Sequence, residues 1–163
     1  YTHDNTLAIT ATKSQIETPN TKKISNEPLI DWDLTIYSVG IKEIDRQHSI
    51  LVELINRLDY GLKHKIGRET MEDIINYLVD YTVFHFGYEE KLLAEHGWQE
   101  LATHKTVHQS FVNKVASYQQ QLKTRDVNDI AEGILEFLKD WLLEHISKSD
   151  KKYGIYLNSK GIY

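Results

Sequence analysis

Residues 104–115 have the sequence HKTVHQSFVNKV, in which histidines and apolar residues recur at steps of three and four. Such a step keeps side chains on one face of an α-helix, because four residues turn the helix only about 40° beyond a full turn. Phe111 and Val115 therefore form an apolar face that His104 and His108 continue. The segment predicts a helix that directs two imidazoles toward a protein core.

Three further segments have the same apolar period, and the chain's two prolines and eight glycines leave them largely uninterrupted. We expect the four helices at about Glu43 to His64, Glu69 to His96, Leu101 to Lys123 and Val127 to Ile146. Short connections between helices of this length favour antiparallel neighbours. The sequence thus predicts an all-α, up-down-up-down four-helix bundle over residues 30–163.

Residues 1–29 differ from the rest of the chain, since they are rich in Thr, Ser, Asn and Lys and have no sustained apolar period. We interpret them as a linker or a loosely packed arm in front of the bundle. The chain begins with Tyr1 and its only methionine is Met71, so we expect it to be a piece of a longer protein.

The composition excludes several classes of function. Without cysteine the chain has no disulfide, zinc–thiolate site, iron–sulfur cluster or cysteine nucleophile, and this agrees with a cytoplasmic protein. The net charge is −5 and the basic residues are scattered, so we expect no nucleic-acid partner. No apolar run approaches the length of a membrane span, and we expect no membrane contact by this segment.

The positions of the histidines are the main evidence about function. Five of the eight, together with one glutamate, lie on the predicted inner faces of all four helices: His48, His85, Glu89, His104, His108 and His145. A lone inward histidine is more often an ordinary core residue than a ligand. Six buried polar groups are different, because each one without a partner costs about 1–3 kcal/mol. A metal would satisfy them together, since imidazole and carboxylate are ligands of first-row transition metals.

Asp150 is a seventh candidate ligand, whose position depends on local helix geometry. It follows His145 by five residues, and in a regular α-helix this step turns it about 140° off the histidine's face. It can reach the same site only if the helix loosens or ends near residues 147–149. Five imidazoles and two carboxylates are too many for one ion and suit two ions bridged by the carboxylates. Iron fits this donor set best, and copper remains an alternative on ligand type alone.

The spacings resemble the ligand pattern of the hemerythrins. The matching residues are His48, His85-x-x-x-Glu89, His104-x-x-x-His108 and His145-x-x-x-x-Asp150. The flanking residues resemble those of bacterial hemerythrins: Trp32, Ser38-Val39-Gly40-Ile41, Ile44-Asp45-Arg46-Gln47 and Trp141-Leu142-Leu143-Glu144. The resemblance covers about residues 30–163 and fills all seven ligand positions.

The resemblance implies a non-haem di-iron centre that binds dioxygen reversibly. It assigns the ligands in three groups: His104, His108 and His145 to one iron, His48 and His85 to the other, and Glu89 and Asp150 as bridges beside an oxo or hydroxo group. The second iron would keep a free position for dioxygen. Trp141 and Ile146 flank His145 and are candidates for the walls of a dry ligand pocket, although both also suit an ordinary core.

We therefore expect an oxygen-binding protein that is not an enzyme. The linker-like arm favours an oxygen-sensing C-terminal domain of a larger protein of signal transduction or chemotaxis, whose other domains would be its partners. A stand-alone oxygen carrier or store is an alternative, as are iron storage and nitric oxide binding at the same centre. A di-iron oxidase or peroxidase is disfavoured, because ferritin-like oxidases use Glu-x-x-His motifs and this chain has none.

Overall fold

The computed structural model of the protein describes residues 24–163. Its regular elements are all helical: α1 Leu34–Tyr37, α2 Lys42–Lys63, α3 Arg68–Glu95, α4 Leu101–Gln121, α5 Val127–His145, a π-helix Ile146–Asp150 and α6 Lys151–Ser159. This confirms the predicted all-α bundle, and the four predicted helices match α2 to α5 with ends that differ by two residues at most. Of the arm predicted for residues 1–29, residues 1–23 lie outside the described residues.

The four long helices form the bundle. Helix α3 packs between α2 and α4, and α5 packs against α2, α3 and α4. The core between them contains fully buried aliphatic side chains such as those of Leu58, Ile75, Ile130 and Ile134. Burying each such side chain contributes about 1.5–3 kcal/mol relative to leaving it in water, so the apolar stripes drive the assembly of the four helices.

Local signals set the ends of these helices. Asp126 caps α5, because its carboxylate accepts hydrogen bonds from the backbone N–H groups of Asn128 and Asp129. Gly97 has a φ of 67° directly after the C-cap of α3, and the N–H of Trp98 then donates to the carbonyl of Leu93. This left-handed conformation favours glycine and ends the helix.

Helix α5 ends at His145, one residue from the predicted end, but the chain stays helical beyond it, which the sequence did not predict. The chain continues through the π-helix into α6, which ends at Ser159. Helix α6 packs very closely on the segment before α2, since a Cβ added to Gly154 would lie 1.9 Å from the carbonyl oxygen of Val39. A glycine at this position therefore lets α6 approach the backbone of that segment.

Within residues 24–163, no helix has both the length and the apolarity that crossing a membrane requires.

Candidate metal centre

The structure brings all seven predicted ligands together in the interior of the bundle. Their exposed fractions range from 0% to 7%, and they are His48, His85, Glu89, His104, His108, His145 and Asp150. The cluster lies toward the end of the bundle at which α2 and α4 begin and α3 and α5 end. Four helices and the π-helix therefore each contribute to one buried group of donors.

The π-helix is what brings Asp150 to this group. A π-helix bonds residue i to residue i+5, so it has more residues per turn than an α-helix. Five residues then complete slightly more than one turn, and Asp150 returns to the face of His145. Its Oδ1 lies 3.0 Å from His145 Nε2.

Three imidazoles lie around a pair of oxygens, one from each carboxylate, and each oxygen contacts two of them. His108 Nε2 lies 3.2 Å from Glu89 Oε1, and His104 Nε2 contacts the same oxygen. Asp150 Oδ1 lies 3.3 Å from His104 Nε2 and 3.0 Å from His145 Nε2. We call His104, His108 and His145 with these two oxygens the three-histidine site.

The other oxygen of Glu89 faces both remaining imidazoles, and the other oxygen of Asp150 faces one of them. Glu89 Oε2 lies 3.2 Å from His85 Nε2 and 3.9 Å from His48 Nε2. Asp150 Oδ2 lies 3.2 Å from His48 Nε2. We call His48 and His85 with these oxygens the two-histidine site. Each carboxylate thus turns one oxygen to each site, as a carboxylate that bridges two metal ions must.

The donor atoms fit metal ions better than they fit one another. His48 Nε2 and both oxygens of Asp150 are buried, and their contacts of 3.0–3.3 Å with neighbouring ligand atoms do not have the geometry of hydrogen bonds. The Nε2 atoms of His108 and His145 face each other at 3.2 Å. If both nitrogens carry a lone pair, the two lone pairs repel each other unless a cation lies between them. Neighbouring ligands of one ion at a bond length near 2.1 Å lie about 3 Å apart, which matches most of these distances. The seven residues therefore fit two first-row transition ions.

The two carboxylates remain ionised despite their burial. Burial acts to raise the pKa of Glu89, but contacts with the imidazoles, first that of His104, hold the pKa well below its ordinary value. Burial and the charge of Glu89 act to raise the pKa of Asp150, but His145 and His104 hold this pKa below its ordinary value. Two buried negative charges make the cluster suitable for cations.

Tyr153 belongs to the site, although the sequence had not assigned it there. Its side chain is fully buried, and its hydroxyl donates to Glu89 Oε2 at 2.9 Å. Burial raises the pKa of this hydroxyl well above its ordinary value, so it stays a donor. The available signal is its position three residues after Asp150, which places both side chains on one face of the continuing helix.

Gln47 is a second residue that the sequence did not assign to the site. It is fully buried, and its Oε1 lies 2.8 Å from His85 Nδ1. Its amide nitrogen donates to Glu43 Oε1 at 3.0 Å, so its oxygen is the atom that faces the imidazole. A proton on Nδ1 leaves the Nε2 lone pair of His85 free for a metal.

The predicted pocket residues lie beside the three-histidine site. Trp141 stacks on His145 with 4.6 Å between ring centroids, and Ile146 is fully buried. Phe86 stacks on His108 at 3.7 Å. Near the two-histidine site, the ring of Phe86 lies 5.7 Å from that of His85, and the ring of Trp32 lies 6.4 Å from that of His48. The role of Trp141 and Ile146 in a ligand pocket stays a prediction.

Comparisons with known proteins agree with this centre. Residues 39–155, which include all seven ligands, match the family model described as the hemerythrin HHE cation binding domain. The chain is 35% identical over 117 residues to a bacteriohemerythrin of Stenotrophomonas maltophilia, covering 72% of this chain and 74% of that protein. It is 37% identical over 120 residues to a bacteriohemerythrin of Pseudomonas aeruginosa, covering 71% and 74%.

A solved structure is similar as well. The crystal structure of wild-type hemerythrin aligns with a TM-score of 0.68 and 28% identity, covering 77% of this chain and 95% of that one. The family match, the related sequences and the similar structure all concern hemerythrins. They agree with the buried cluster of imidazoles and carboxylates. The chain belongs to the hemerythrin family.

Proposed function

We propose that this chain binds dioxygen reversibly at two iron ions held by the seven ligands, and that it does not turn over a substrate. The observation that carries the proposal is the division of the carboxylate oxygens, one oxygen of Glu89 and one of Asp150 at each site. Two iron(II) ions bound by these residues would supply the electrons for reversible binding of dioxygen. Glu89 and Asp150, with one oxygen at each site, would hold both ions close together.

The two sites differ in a way that suits the binding of a small ligand. The three-histidine site offers three imidazoles and two carboxylate oxygens, and the two-histidine site offers two imidazoles and two oxygens. An ion held at the two-histidine site would have one imidazole fewer around it, which would leave room there for a small ligand. We therefore assign the ligand position to the side of His48 and His85.

The surroundings favour reversible binding over oxygen activation. All seven ligands are buried, so bulk water has little access to supply the protons that would release reduced oxygen. Five of the seven ligand residues are histidines, whereas ferritin-like oxidases use more carboxylates. Carboxylates stabilise highly oxidised iron better, so this donor set suits a binding protein.

The test is an optical spectrum of the chain loaded with iron(II) without oxygen, then aerated, then degassed. We expect two irons per chain and an absorption that appears with oxygen and disappears on degassing. Asp150→Asn should bind less iron, because the bridge is weakened, whereas Asp140→Asn, an exposed aspartate of α5, should not. Fewer than two irons in the unaltered chain, or steady consumption of oxygen with a reductant, would contradict the proposal.

We also propose that the chain is the oxygen-sensing domain of a larger signalling protein. The segment in front of the bundle contacts the ligand-bearing helix, which supports this role. Trp32 meets the ring of His48 edge-on, and Ile30 exchanges two hydrogen bonds of 2.9 Å with the side chain of Asn56. A change at His48 on oxygen binding can thus alter the contacts of the preceding segment.

The sensor proposal is tested by limited proteolysis of the iron-loaded chain in its reduced and oxygenated forms. We expect the rate of cleavage between residues 24 and 33 to differ between the two forms. Cleavage in the loop between α4 and α5, residues 122–126, is the internal control and should not change. Identical cleavage before the bundle in both forms would favour a stand-alone carrier or store.

A further inference from the structure

Helix α3 exposes a row of aromatic side chains on the outside of the bundle. Tyr77 is 56% exposed, Phe84 54% and Tyr88 37%, and Tyr81 lies between them. The rings follow one another closely, with centroids 6.4 Å apart for Tyr77 and Tyr81 and 5.6 Å apart for Tyr81 and Phe84. We call these four residues the aromatic face.

The aromatic face is separate from the metal centre. At 100° per residue, its four members lie within about 60° of Phe84 around the helix axis. His85 and Glu89 lie about 100° and 140° from Phe84 and point into the bundle. Tyr81 is partly buried and packs against the core, but neither the core nor the metal ligands require the exposed rings of Tyr77, Phe84 and Tyr88. An exposed apolar patch of this kind marks an interaction surface.

Gly87 lies at the edge of the same face and is not explained by the fold of one chain. A Cβ added there would meet nothing within 4 Å. Glycine inside a helix costs about 0.5–1 kcal/mol relative to alanine, so alanine would stabilise the isolated chain. A glycine does allow the backbone of a second helix to approach closely.

The charges along the face are arranged for a second copy of the same helix. Asp73 precedes the aromatic face and Lys91 follows it, both exposed and both within about 20° of Phe84 around the axis. Along the helix, Asp73 and Lys91 lie at equal distances on either side of residue 82. Tyr77 and Tyr88 also lie at equal distances on either side of nearly the same point. An antiparallel pair about a twofold axis at that point would set Asp73 of each copy opposite Lys91 of the other.

We propose that two copies of this chain associate through α3 in this antiparallel arrangement. Tyr77 of one copy then packs near Tyr88 of the other, and Tyr81 near Phe84. Asp80, on the same flank as Gly87, lies within about one helical turn of the other copy's Gly87, where the missing side chain leaves space for its hydration. The acidic residues on α3 disfavour an anionic membrane surface as the partner, because such surfaces attract basic helices.

The size of the face predicts a weak dimer. From Asp73 to Lys91 the helix extends about 27 Å, and its width is about 10–12 Å, which gives roughly 300 Å² per chain. A stable interface buries about 800 Å² per partner. We therefore expect a dimer that forms at high concentration and dissociates on dilution.

The test is sedimentation equilibrium of the metal-loaded chain from micromolar to millimolar concentrations. We expect a reversible monomer–dimer equilibrium. Phe84→Glu should weaken association at least about tenfold, because it places two carboxylates near the axis. Ile155→Glu is the matched control, since Ile155 is a 74% exposed apolar residue on α6, and it should leave the equilibrium unchanged.

Two further variants test the arrangement itself. Lys91→Asp should weaken the dimer, and adding Asp73→Lys should restore it, which only the antiparallel pairing predicts. Gly87→Ala should raise the melting temperature of the monomer while weakening the dimer. The proposal is overturned if the chain stays monomeric at millimolar concentration. Binding of such a monomeric chain to phosphatidylserine vesicles, measured by sedimentation, would assign the aromatic face to a membrane surface instead. A dimer that Phe84→Glu leaves intact, or a charge reversal that fails to restore association, also overturns it.

Discussion

At the scale of single residues, Glu89 shows how the centre is held in place. Its carboxylate is fully buried, faces four imidazoles and accepts a hydrogen bond from Tyr153. The tyrosine fixes one oxygen of the carboxylate toward the two-histidine site. Residues that orient metal ligands in this way affect metal affinity nearly as strongly as the ligands themselves.

Replacing Tyr153 with phenylalanine should lower metal affinity about 10–100-fold, because Glu89 loses the hydrogen bond that orients it. The measurement is a competition titration against a chelator of known affinity. Tyr156→Phe is the control, since the hydroxyl of Tyr156 donates to the carbonyl of His96 outside the centre. Equal losses of affinity in both variants would show that Tyr153 acts only through general stability.

At the scale of the elements, the π-helix decides whether Asp150 can be a ligand. In a regular α-helix the step of five residues from His145 would carry the carboxylate about 140° away. The π-helix Ile146–Asp150 contains one residue more than an α-helix needs to complete the same turn. The π-helix is therefore equivalent to an α-helix with one residue inserted, and with this extra residue Asp150 still reaches the metal centre.

If the π-helix contains one extra residue, deleting a residue from it and inserting one into it should have different effects on metal binding. Deleting the exposed Ser147 should leave a regular α-helix with Asp150 four positions after His145, so the chain should still bind two metal ions. Inserting an alanine after Ser147 should turn Asp150 about 100° further and lower the metal content. The measurement is metal analysis of both purified variants after reconstitution.

The control for the insertion is the same alanine placed in the loop between α4 and α5, after Thr124, which should not change metal content. Loss of metal in the deletion variant, with the insertion variant unaffected, would refute the role assigned to the π-helix.

At the scale of the whole molecule, metal binding and folding are coupled. The ligands come from α2 to α5 and the π-helix and span residues 48–150, so the complete site exists only in the folded bundle. Binding energy for the metals is then also folding energy. Without metal, the bundle must instead bury two ionised carboxylates and ring nitrogens that have no partner.

Removing the metals with a chelator should therefore lower the melting temperature of the chain. A ligand present at 1,000 times its dissociation constant stabilises the folded state by about 4 kcal/mol, and two ions give a correspondingly large effect. Calorimetry with and without chelator measures the change in melting temperature. In His108→Ala, which lacks a ligand of the three-histidine site, the chelator should have a smaller effect. An unchanged melting temperature in the unaltered chain would contradict the coupling.

The sequence by itself determined the four long helices and the inward direction of His48, His85, Glu89 and His104, because both follow from the local period of an α-helix. It also showed that Asp150 could join the site only through an irregular turn. Only the tertiary structure decided that this turn is a π-helix, that the helix continues as α6, and that Tyr153 and Gln47 reach the ligands. These features depend on how separate helices pack, as does the division of the carboxylate oxygens between two sites. Distances between elements far apart in the chain are set by packing, which no local pattern contains.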